Sequence, residues 1–319
     1  MLKLRDISAL NVESSSKCTA SCAFCSRQQK IKPYGEHVLL LKDFKLLPRE
    51  MIQGLKRVTF AGNFGDFSTN HDMVAIADYL KCLNGNIVLG GDTNGMAQSE
   101  DWWQELGTHF ADGAIAFAVD GLEDTHARHR VGTDYNNVLR NIHAFARGGG
   151  MAYWKFIVFA HNEHQVEAAE SRARDIGCKG FTAISSRNYN SDLRIPKSFQ
   201  FDIKRNVFSH YLDMSPFALC NPIHKGSLYL AADGTVHPCC FAHSMYICGH
   251  NHEFRFIVPL IEKFRREINF KTRPLESILT GPYFKAVLEQ SRNNAYCRMK
   301  CNSHKKEIRR QLVLHEKLF

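Results

Sequence analysis

The sequence predicts an α/β fold, a partial (βα)6 TIM-like barrel followed by a small cysteine-rich C-terminal domain. Apolar, β-rich runs alternate with amphipathic segments from residue 7 to about residue 187, and this order is typical of parallel strands joined by right-handed crossovers. Six such units are too few to close an eight-stranded barrel. The alternation stops at a connector that begins at residue 188, and a cysteine-rich segment follows it.

Length and composition indicate a globular protein with a sizeable core. The chain has 319 residues, which corresponds to one large domain or two. We place the boundary so that the barrel spans 1–209 and the C-terminal domain 210–319. Hydrophobic residues make up 44% of the chain and charged residues 23%, which excludes a disordered chain and a collagen-like repeat.

Six segments are expected to form the strands, because each is nearly continuous in apolar residues, as strands buried on both faces are. These segments are 7–13, 57–61, 86–90, 113–119, 153–160 and 181–185. In the C-terminal domain, the turn Asp233-Gly234 predicts a hairpin over 232–240. Apolar residues from Leu275 to Leu288 predict one helical stretch after it.

Three amphipathic stripes predict helices between the barrel strands. The stripes are Met73, Ile76, Ala77 and Leu80; Val138, Leu139, Ile142 and Phe145; and Val166, Ala169, Ala173 and Ile176. Asn162 is expected to cap the start of the third helix, and Gly177 to end it.

The 11 cysteines are an odd number, so they cannot all form disulfides. Lys3, Arg5 and Asp6 argue against a secretory signal peptide, and no apolar run approaches the ~20 residues of a membrane-spanning helix. We therefore expect a cytoplasmic protein with no membrane partner, whose clustered thiols bind metal or take part in redox chemistry. Cys82 and Cys178 are expected to be small buried side chains in or beside helices.

The chain is basic, with 41 Lys and Arg against 32 Asp and Glu and a net charge of +9 with neutral histidines. This surplus allows an anionic partner, including nucleic acid. Basic residues become denser near the end of the chain, where Ile308, Leu312 and His315 have helical spacing. A packed helix with a solvated charged face is favoured there over a nucleic-acid site, because the sequence lacks the clustered aromatics of a base-stacking platform.

Three cysteines, Cys18, Cys22 and Cys25, directly follow the first predicted strand. Thiolates this close together can bind three irons of one cubane cluster and leave the fourth iron without a protein ligand. A tetrahedral zinc site needs a fourth ligand at a familiar spacing, and the ten residues after Cys25 contain neither Cys nor His. The spacing therefore favours an iron–sulfur cluster over zinc.

The Cys-x3-Cys-x2-Cys triplet, with Phe24 just before its last cysteine, resembles the signature of the radical S-adenosylmethionine (radical SAM) superfamily. The resemblance implies a 4Fe-4S cluster whose open iron chelates the methionine moiety of S-adenosylmethionine (AdoMet). It also implies reductive cleavage of AdoMet to a 5′-deoxyadenosyl radical, which abstracts a hydrogen atom from the substrate.

Further segments match the family in the expected order, each at the carboxyl end of a strand, where β/α folds bind ligands. Residues 62–66 stand where the family has a Gly-Gly-Glu motif, with Phe64 at its first glycine and Asp66 at its glutamate. Residues 93–95 end the third strand and 119–121 the fourth. The cofactor-binding residues that the resemblance implies are Phe24, Asn63, Gly65, Asp66, Thr93, Asn94, Asp120 and Arg130.

Three of these residues have a role matched to a part of AdoMet. The Phe24 backbone is expected to meet the adenine edge. Asp66 is expected to accept from the ammonium group, and Arg130 to pair with the carboxylate.

The C-terminal cysteines resemble those of the SPASM/twitch extension of radical SAM enzymes. The resemblance implies an auxiliary 4Fe-4S cluster with four ligands, namely Cys220, Cys239, Cys297 and Cys301. Cys240 competes with Cys239, and a structural zinc held by four cysteines is the alternative. Nearby histidines are expected to be surface or turn residues; they are His237, His243, His250 and His252.

The sequence thus predicts a radical SAM enzyme of oxidoreductase or epimerase type that dehydrogenates, cross-links or epimerises a peptide, a sugar or a nucleotide-linked metabolite. Cys248 is the candidate catalytic residue, since an epimerase needs a thiol that gives up a hydrogen atom, although an inert packed thiol is the favoured interpretation. Flavodoxin or ferredoxin is the expected electron donor. One alternative is a non-catalytic iron–sulfur or zinc protein that binds nucleic acid through its basic C-terminal segment; another is a radical enzyme acting on RNA.

Overall fold

The computed structural model describes residues 2–197, 220, 225–249 and 254–302. The strands in these residues are β1 (Ala9–Val12), β2 (Arg57–Phe60), β3 (Val88–Thr93), β4 (Ala114–Ala118), β5 (Met151–Val158), β6 (Gly180–Ser185), β7 (Ser227–Leu230) and β8 (Val236–His237). The helices are α1 (Leu41–Phe44), α2 (Arg49–Gly54), α3 (Met73–Leu83), α4 (Glu100–Gly107), α5 (His126–His129), α6 (Tyr135–Arg147), α7 (Val166–Asp175), α8 (Cys240–Cys248), α9 (Ile257–Phe264), α10 (Leu275–Thr280), α11 (Pro282–Arg292) and α12 (Ala295–Asn302). Short 3-10 helices lie at Leu4–Asp6, Ser26–Gln29, Phe67–Thr69 and Glu163–Gln165.

The described strands form one sheet in the order β6-β5-β4-β3-β2-β1-β7-β8. Strands β1 to β6 are parallel, each beside its neighbour in the sequence. The six predicted barrel strands are therefore all present in the predicted order, and the partial β/α barrel is confirmed. Parallel neighbours bring the carboxyl ends of all these strands to one edge, which positions the candidate site.

The C-terminal domain adds two strands that the six-stranded prediction did not include. Strand β7 pairs in parallel with β1, and the predicted hairpin is formed by β7 and β8. Backbone bonds from Ser8 and Ala9 to Gly226, and from Glu13 to Leu230, continue this pairing beyond the ladder. Without β7 the main-chain groups of β1 would form an open sheet edge, which explains why the C-terminal domain packs there.

The expectation that the strands are buried on both faces is wrong. Burial alternates along β1, β2, β4 and β5, because successive side chains point to opposite faces of a sheet. Leu10, Val58 and Trp154 belong to the face that packs in the core. Thr59 and Lys155 belong to the other face, which is only half-buried and lines the lumen of the partial barrel.

The three predicted helical stripes are those of α3, α6 and α7, and Gly177, with φ of +90°, follows the end of α7. Asn162 does not cap α7. Its side chain instead accepts from the Phe159 amide and donates to the carbonyls of Asp120 and Ile157, so it ties the end of β5 to the loop after β4.

Two further expectations are corrected. Cys82 is exposed, because it lies away from the buried stripe of α3. The apolar stretch that begins at Leu275 is two helices, α10 and α11, because Pro282 cannot donate a helical hydrogen bond and starts α11 at its first position.

Some predictions concern residues that the structure does not describe. The domain boundary at residue 209, the C-terminal helix with Ile308 and Leu312, and the histidines at 250 and 252 all lie outside the described residues. Within the described part of the chain, no helix combines the length and the apolar character needed to cross a membrane.

Candidate functional site

Cys18, Cys22 and Cys25 occupy the loop after β1, at the carboxyl edge of the sheet. The loop turns tightly, since the Cys25 amide donates to the Cys22 carbonyl at 3.1 Å. Arg27 Nη1 donates to the Cys18 carbonyl at 2.8 Å and so draws the end of the loop back to its start. Besides burial, Cys22 contributes to the raised pKa of Cys18, and Cys25 to the raised pKa of Cys22, so the thiols of the triplet influence each other's ionisation.

Hydrogen-bond donors from three parts of the chain approach two of these sulfur atoms. Asn94 Nδ2 lies 3.3 Å and the Ala20 amide 3.4 Å from Cys18 Sγ, and Arg130 Nη1 lies 3.7 Å from Cys22 Sγ. Burial raises the pKa of Cys18 to about 11, and the Asp66 carboxylate adds to this effect. Donors of this kind stabilise thiolates, which are the form that binds iron, so the donor set fits a cluster held by the triplet.

The loop after β2 lies directly against the segment that leads to Cys18. A side chain at Gly65 would place its Cβ 2.0 Å from the Ser15 carbonyl oxygen and 2.5 Å from the Ser16 Cα, so only glycine allows this approach. The Asp66 amide donates to the Lys17 carbonyl at 2.7 Å. The start of the cysteine loop is therefore fixed by the β2 loop.

Asp66 is buried, and its carboxylate accepts four hydrogen bonds from the protein. Oδ1 accepts from the Ser68 amide and hydroxyl and, at 2.8 Å, from the Thr93 hydroxyl. Oδ2 accepts from the Asn94 amide at 2.7 Å. Asp66 and Thr93 thus join the ends of β2 and β3 and orient Asn94, whose side chain reaches Cys18.

Asp120 is fully buried at the end of β4 and lies behind Arg130. Its Oδ2 accepts from Arg130 Nε at 2.5 Å and pairs with His129 Nδ1 at 2.7 Å, and its Oδ1 accepts from the Ile157 amide at 2.6 Å. Burial opposes ionisation, but the Arg130 guanidinium and His129 prevail and lower the Asp120 pKa to about 2. The carboxylate is thus charged and holds Arg130 beside Cys22.

The two remaining cofactor candidates point in different directions. Phe24 is half-buried within the cysteine loop. Asn63 faces the C-terminal domain, where its Nδ2 donates to the Tyr229 hydroxyl at 3.1 Å and to the Cys240 carbonyl at 2.9 Å.

The structure also brings the C-terminal cysteines together. Cys239 and Cys240 stand at the start of α8, and Cys297 and Cys301 lie one turn apart on α12. Burial raises the pKa of Cys239 well above its usual value, and the neighbouring Cys240, Cys220 and Cys301 raise it further. Cys240 is thus a fifth thiol at this site. Among the described residues, no three His, Cys, Asp or Glu side chains have the arrangement of a single-ion metal site.

Cys248 ends α8 beneath the loop that carries the triplet. It is buried, its Sγ lies 3.5 Å from the Ser26 carbonyl oxygen, and burial, with a contribution from Cys25, raises its pKa to about 11. The amides of Ile31 and Lys32 donate to the Ile247 carbonyl beside it. The last turn of α8 therefore packs on the cysteine loop.

Residues that sequence analysis missed lie in two places. His237 and His243, expected at the surface, are buried, and His243 Nδ1 lies 3.7 Å from Glu13 Oε2. In the lumen, Lys155 Nζ pairs with Asp92 Oδ1 at 2.8 Å. Glu13 is a charged residue directly after a buried strand, and this sequence feature could have indicated that it is buried and has partners.

A further group lies beyond β5 and β6. The ring nitrogens of His161 and the hydroxyls of Ser185 and Tyr189 are buried and have no hydrogen-bond partner among the described residues. The ring of Phe159 stacks on His161 at 5.6 Å and meets Tyr189 edge-on at 6.0 Å. Buried polar atoms are normally paired, so these three side chains stand out among the described residues.

Comparison with known families identifies this arrangement. The model of the radical SAM superfamily matches residues 12–172, about half of the chain, and contains the triplet and all of the strand-end motifs described above. The chain belongs to the radical SAM superfamily. A model described as an iron–sulfur cluster-binding domain, SPASM, matches residues 220–302. This radical SAM protein therefore uses 4Fe-4S clusters and AdoMet, and the non-catalytic alternative receives no support.

Solved structures of similar fold include proteins with S-adenosylmethionine or a peptide bound. SuiB of Streptococcus suis bound to the precursor peptide SuiA is 12% identical, with a TM-score of 0.56 over 90% of this chain and 70% of SuiB. SuiB bound to S-adenosylmethionine is 13% identical, with a TM-score of 0.57 over 92% and 70%. The anSMEcpe enzyme with bound AdoMet and Cp18Cys peptide is 14% identical, with a TM-score of 0.55 over 89% and 83%. No curated protein matches the chain.

Proposed function

We propose that this radical SAM protein cleaves AdoMet reductively and abstracts a hydrogen atom from a peptide substrate. The observation that carries the proposal is the approach of Asn94 to Cys18 and of Arg130 to Cys22, in the triplet loop at the carboxyl edge of the barrel. When bound, the cluster supplies the electron that splits the AdoMet sulfonium, and the resulting 5′-deoxyadenosyl radical takes the hydrogen atom. Cys18, Cys22 and Cys25 hold that cluster.

Asn94 and Arg130 stabilise the thiolates that hold the cluster, and Arg130 also binds AdoMet. Their N–H groups donate toward the cysteine sulfurs, and the guanidinium is also the group suited to the AdoMet carboxylate. Asp66, Thr93 and Asp120 serve as positioning residues, because their polar atoms are already bonded within the protein.

The other parts of AdoMet have partners on the same edge. The backbone of residues 62–65 is left to accept from the ammonium group, since the Asp66 carboxylate is engaged, and the Phe24 backbone is assigned to the adenine edge. His161, Ser185 and Tyr189 are assigned to the nucleoside, because their polar atoms have no hydrogen-bond partner in the part of the chain that the structure describes and lie beyond β5 and β6 on the same edge.

A peptide is the proposed substrate class. Gly90, Ala114 and Ala116 lie on the lumen face by strand alternation and contribute little side-chain volume there, and the half-exposed Asp92–Lys155 pair offers both charges to a peptide backbone or side chain. SuiB and anSMEcpe, which share the fold, have been solved with peptides bound. Dehydrogenation and cross-linking are favoured outcomes, since the C-terminal thiols would hold a second cluster that accepts the substrate electron.

The auxiliary cluster is assigned to four cysteines. They are Cys220, Cys239, Cys297 and Cys301, with Cys240 as the competing ligand at the start of α8. Flavodoxin or ferredoxin is the proposed electron donor, and the cytoplasm is the proposed location.

The test is an assay for 5′-deoxyadenosine with the anaerobically reconstituted protein, AdoMet and dithionite. Wild type and Cys82→Ala, whose thiol is exposed on α3, are expected to form the product, and Cys22→Ala is expected to form none. Equal traces from wild type and Cys22→Ala would refute the catalytic proposal.

A further inference from the structure

One buried group of side chains at the interface of the barrel and the C-terminal domain is not used by the proposed chemistry. We call it the interface cluster. Its members come from the end of β1, the loop after the triplet, the loop after β2, β7 and α8, and all are buried; they are Glu13, Tyr34, Phe64, Tyr229 and His243.

Glu13 is the centre of the interface cluster. Its Oε1 accepts from the Phe64 amide at 2.6 Å, and its Oε2 accepts from the Tyr34 hydroxyl at 3.3 Å. A Cβ at Gly62 would lie 2.8 Å from Oε1, so the Glu13 carboxylate fills the space beside Gly62 as well as bonding to Phe64. One side chain directly after β1 thus contacts two residues of the 62–66 loop, Gly62 and Phe64.

The C-terminal domain reaches the same loop from the other side. Asn63 Nδ2 donates to the Tyr229 hydroxyl at 3.1 Å, and Tyr229 influences the ionisation of the Glu13 carboxyl group. The His243 ring meets Phe64 edge-on at 5.3 Å and Tyr34 at 5.0 Å. Phe64 replaces a family glycine, and its ring adds to the contact that Asn63 makes between the loop and the C-terminal domain.

The electrostatics favour an uncharged pair at the centre. Burial raises the Glu13 pKa to about 7 and lowers the His243 pKa to about 4. His243 Nδ1 lies 3.7 Å from Glu13 Oε2, beyond hydrogen-bond distance, and neither ring nitrogen has a hydrogen-bond partner among the described residues. The interface therefore favours the uncharged form of the Glu13 carboxyl group as long as His243, Tyr34 and Tyr229 keep it out of water.

We propose that Glu13 and His243 are positioning residues that couple docking of the C-terminal domain to the shape of the 62–66 loop, and through it to AdoMet affinity. The inference rests on the proposed function, because that loop is assigned to the AdoMet ammonium group. AdoMet binding would then require the C-terminal domain to be docked, so that the radical forms only in a closed enzyme.

The test measures the AdoMet dissociation constant by equilibrium dialysis, with the reconstituted full chain and its iron content as a check. We expect Glu13→Leu and His243→Leu each to weaken AdoMet binding about tenfold. This is the effect expected when the displaced 62–66 loop loses one hydrogen bond to the charged ammonium group of AdoMet. Glu13→Gln keeps an acceptor for Phe64 and is expected to stay within about twofold of wild type. The double variant Glu13→Leu/His243→Leu is expected to bind no more weakly than either single variant, because the two residues act as one unit.

The matched control is Asn84→Leu, which removes three hydrogen bonds to the carbonyls of Ile52, Gln53 and Leu55 at the opposite end of the sheet. It is expected to lower thermal stability and leave AdoMet affinity unchanged. If the Glu13 and His243 variants behave like this control, the inference is overturned and the residues are only structural. If Glu13→Leu does not fold, Glu13→Gln and His243→Leu decide the question. A wild-type protein that binds no AdoMet would instead overturn the proposed function itself.

Discussion

The buried Asp120–Arg130 pair gives the most quantitative prediction. Asp120 has no exposed surface, and Arg130 is 15% exposed. Asp120→Asn keeps an oxygen that can accept from Ile157, but it turns an NH2 group or a weak acceptor toward Arg130 and His129. The buried guanidinium is then left without its counter-charge.

The expected loss is about 3 kcal/mol. The Asp120 pKa of about 2 lies below its ordinary value of 3.8, and each pKa unit corresponds to about 1.4 kcal/mol, so the protein favours the charged form by roughly 2–3 kcal/mol despite burial. Breaking a buried pair from one side costs about 3–5 kcal/mol. Because the folded-state pKa is lowered, this stability is fully present above about pH 4 and is lost as the pH falls toward 2. A measurement at pH 7.5 therefore reports all of it.

Urea unfolding of the reconstituted protein is the assay, followed by the fluorescence of Trp102, Trp103 and Trp154, which all lie in the barrel. The matched control is Asp92→Asn. It breaks the lumen pair with Lys155, whose side chains are 49% and 38% exposed, and is expected to cost at most about 1 kcal/mol. AdoMet affinity is expected to fall in Asp120→Asn as well, because Arg130 loses its orientation. A stability loss no greater than that of the control would refute the assigned role of Asp120.

Three further predictions concern the loop, the interface and the auxiliary site. Gly65→Ala is expected to lose the iron of the triplet site, since its Cβ would collide with backbone, whereas Gly54→Ala, which has open space around its Cβ, keeps it; equal iron contents would contradict the steric argument. Because the pKa of Glu13 is raised, the free energy of unfolding is expected to fall by about 3 kcal/mol as the pH rises from 4.5 to 7, and Glu13→Gln is expected to remove this fall. Urea unfolding measures both proteins, and a difference in unfolding free energy between wild type and Glu13→Gln that is equal at pH 5 and pH 8 would exclude this effect of Glu13. Cys239→Ser is expected to lose the auxiliary iron and Cys240→Ser to retain it, and iron analysis that finds the reverse would reassign the ligand.

Local sequence was sufficient for the parts of the fold that depend on neighbouring residues. The stripe of α6 and the strands β1 to β6 follow from periodicity, which is a property of ten or fewer consecutive residues. The cysteine triplet belongs to the same class, because its three ligands lie within one loop. Alternating burial in β5 was missed, since an apolar run does not show which face is left open.

The roles of individual polar residues depended on contacts between distant segments. The sequence predicts that Asp66 and Thr93 meet the cofactor, and the structure adds a hydrogen bond between them across two strands that no motif indicates. Glu13 and His243 are 230 positions apart in the sequence, and neither belongs to a recognisable motif. Their significance is visible only where β7 pairs with β1.

The sequence by itself determined the strands β1 to β6, the helices α3, α6 and α7 and the two groups of thiols, because apolar patterning and ligand spacing are encoded over short stretches of chain. Only the tertiary structure decided which carboxylates are free to meet a ligand and which, like Asp120, are already held by arginine and backbone donors. Burial and hydrogen bonding depend on what the folded chain places around a group, and that surrounding comes from segments far apart in the sequence.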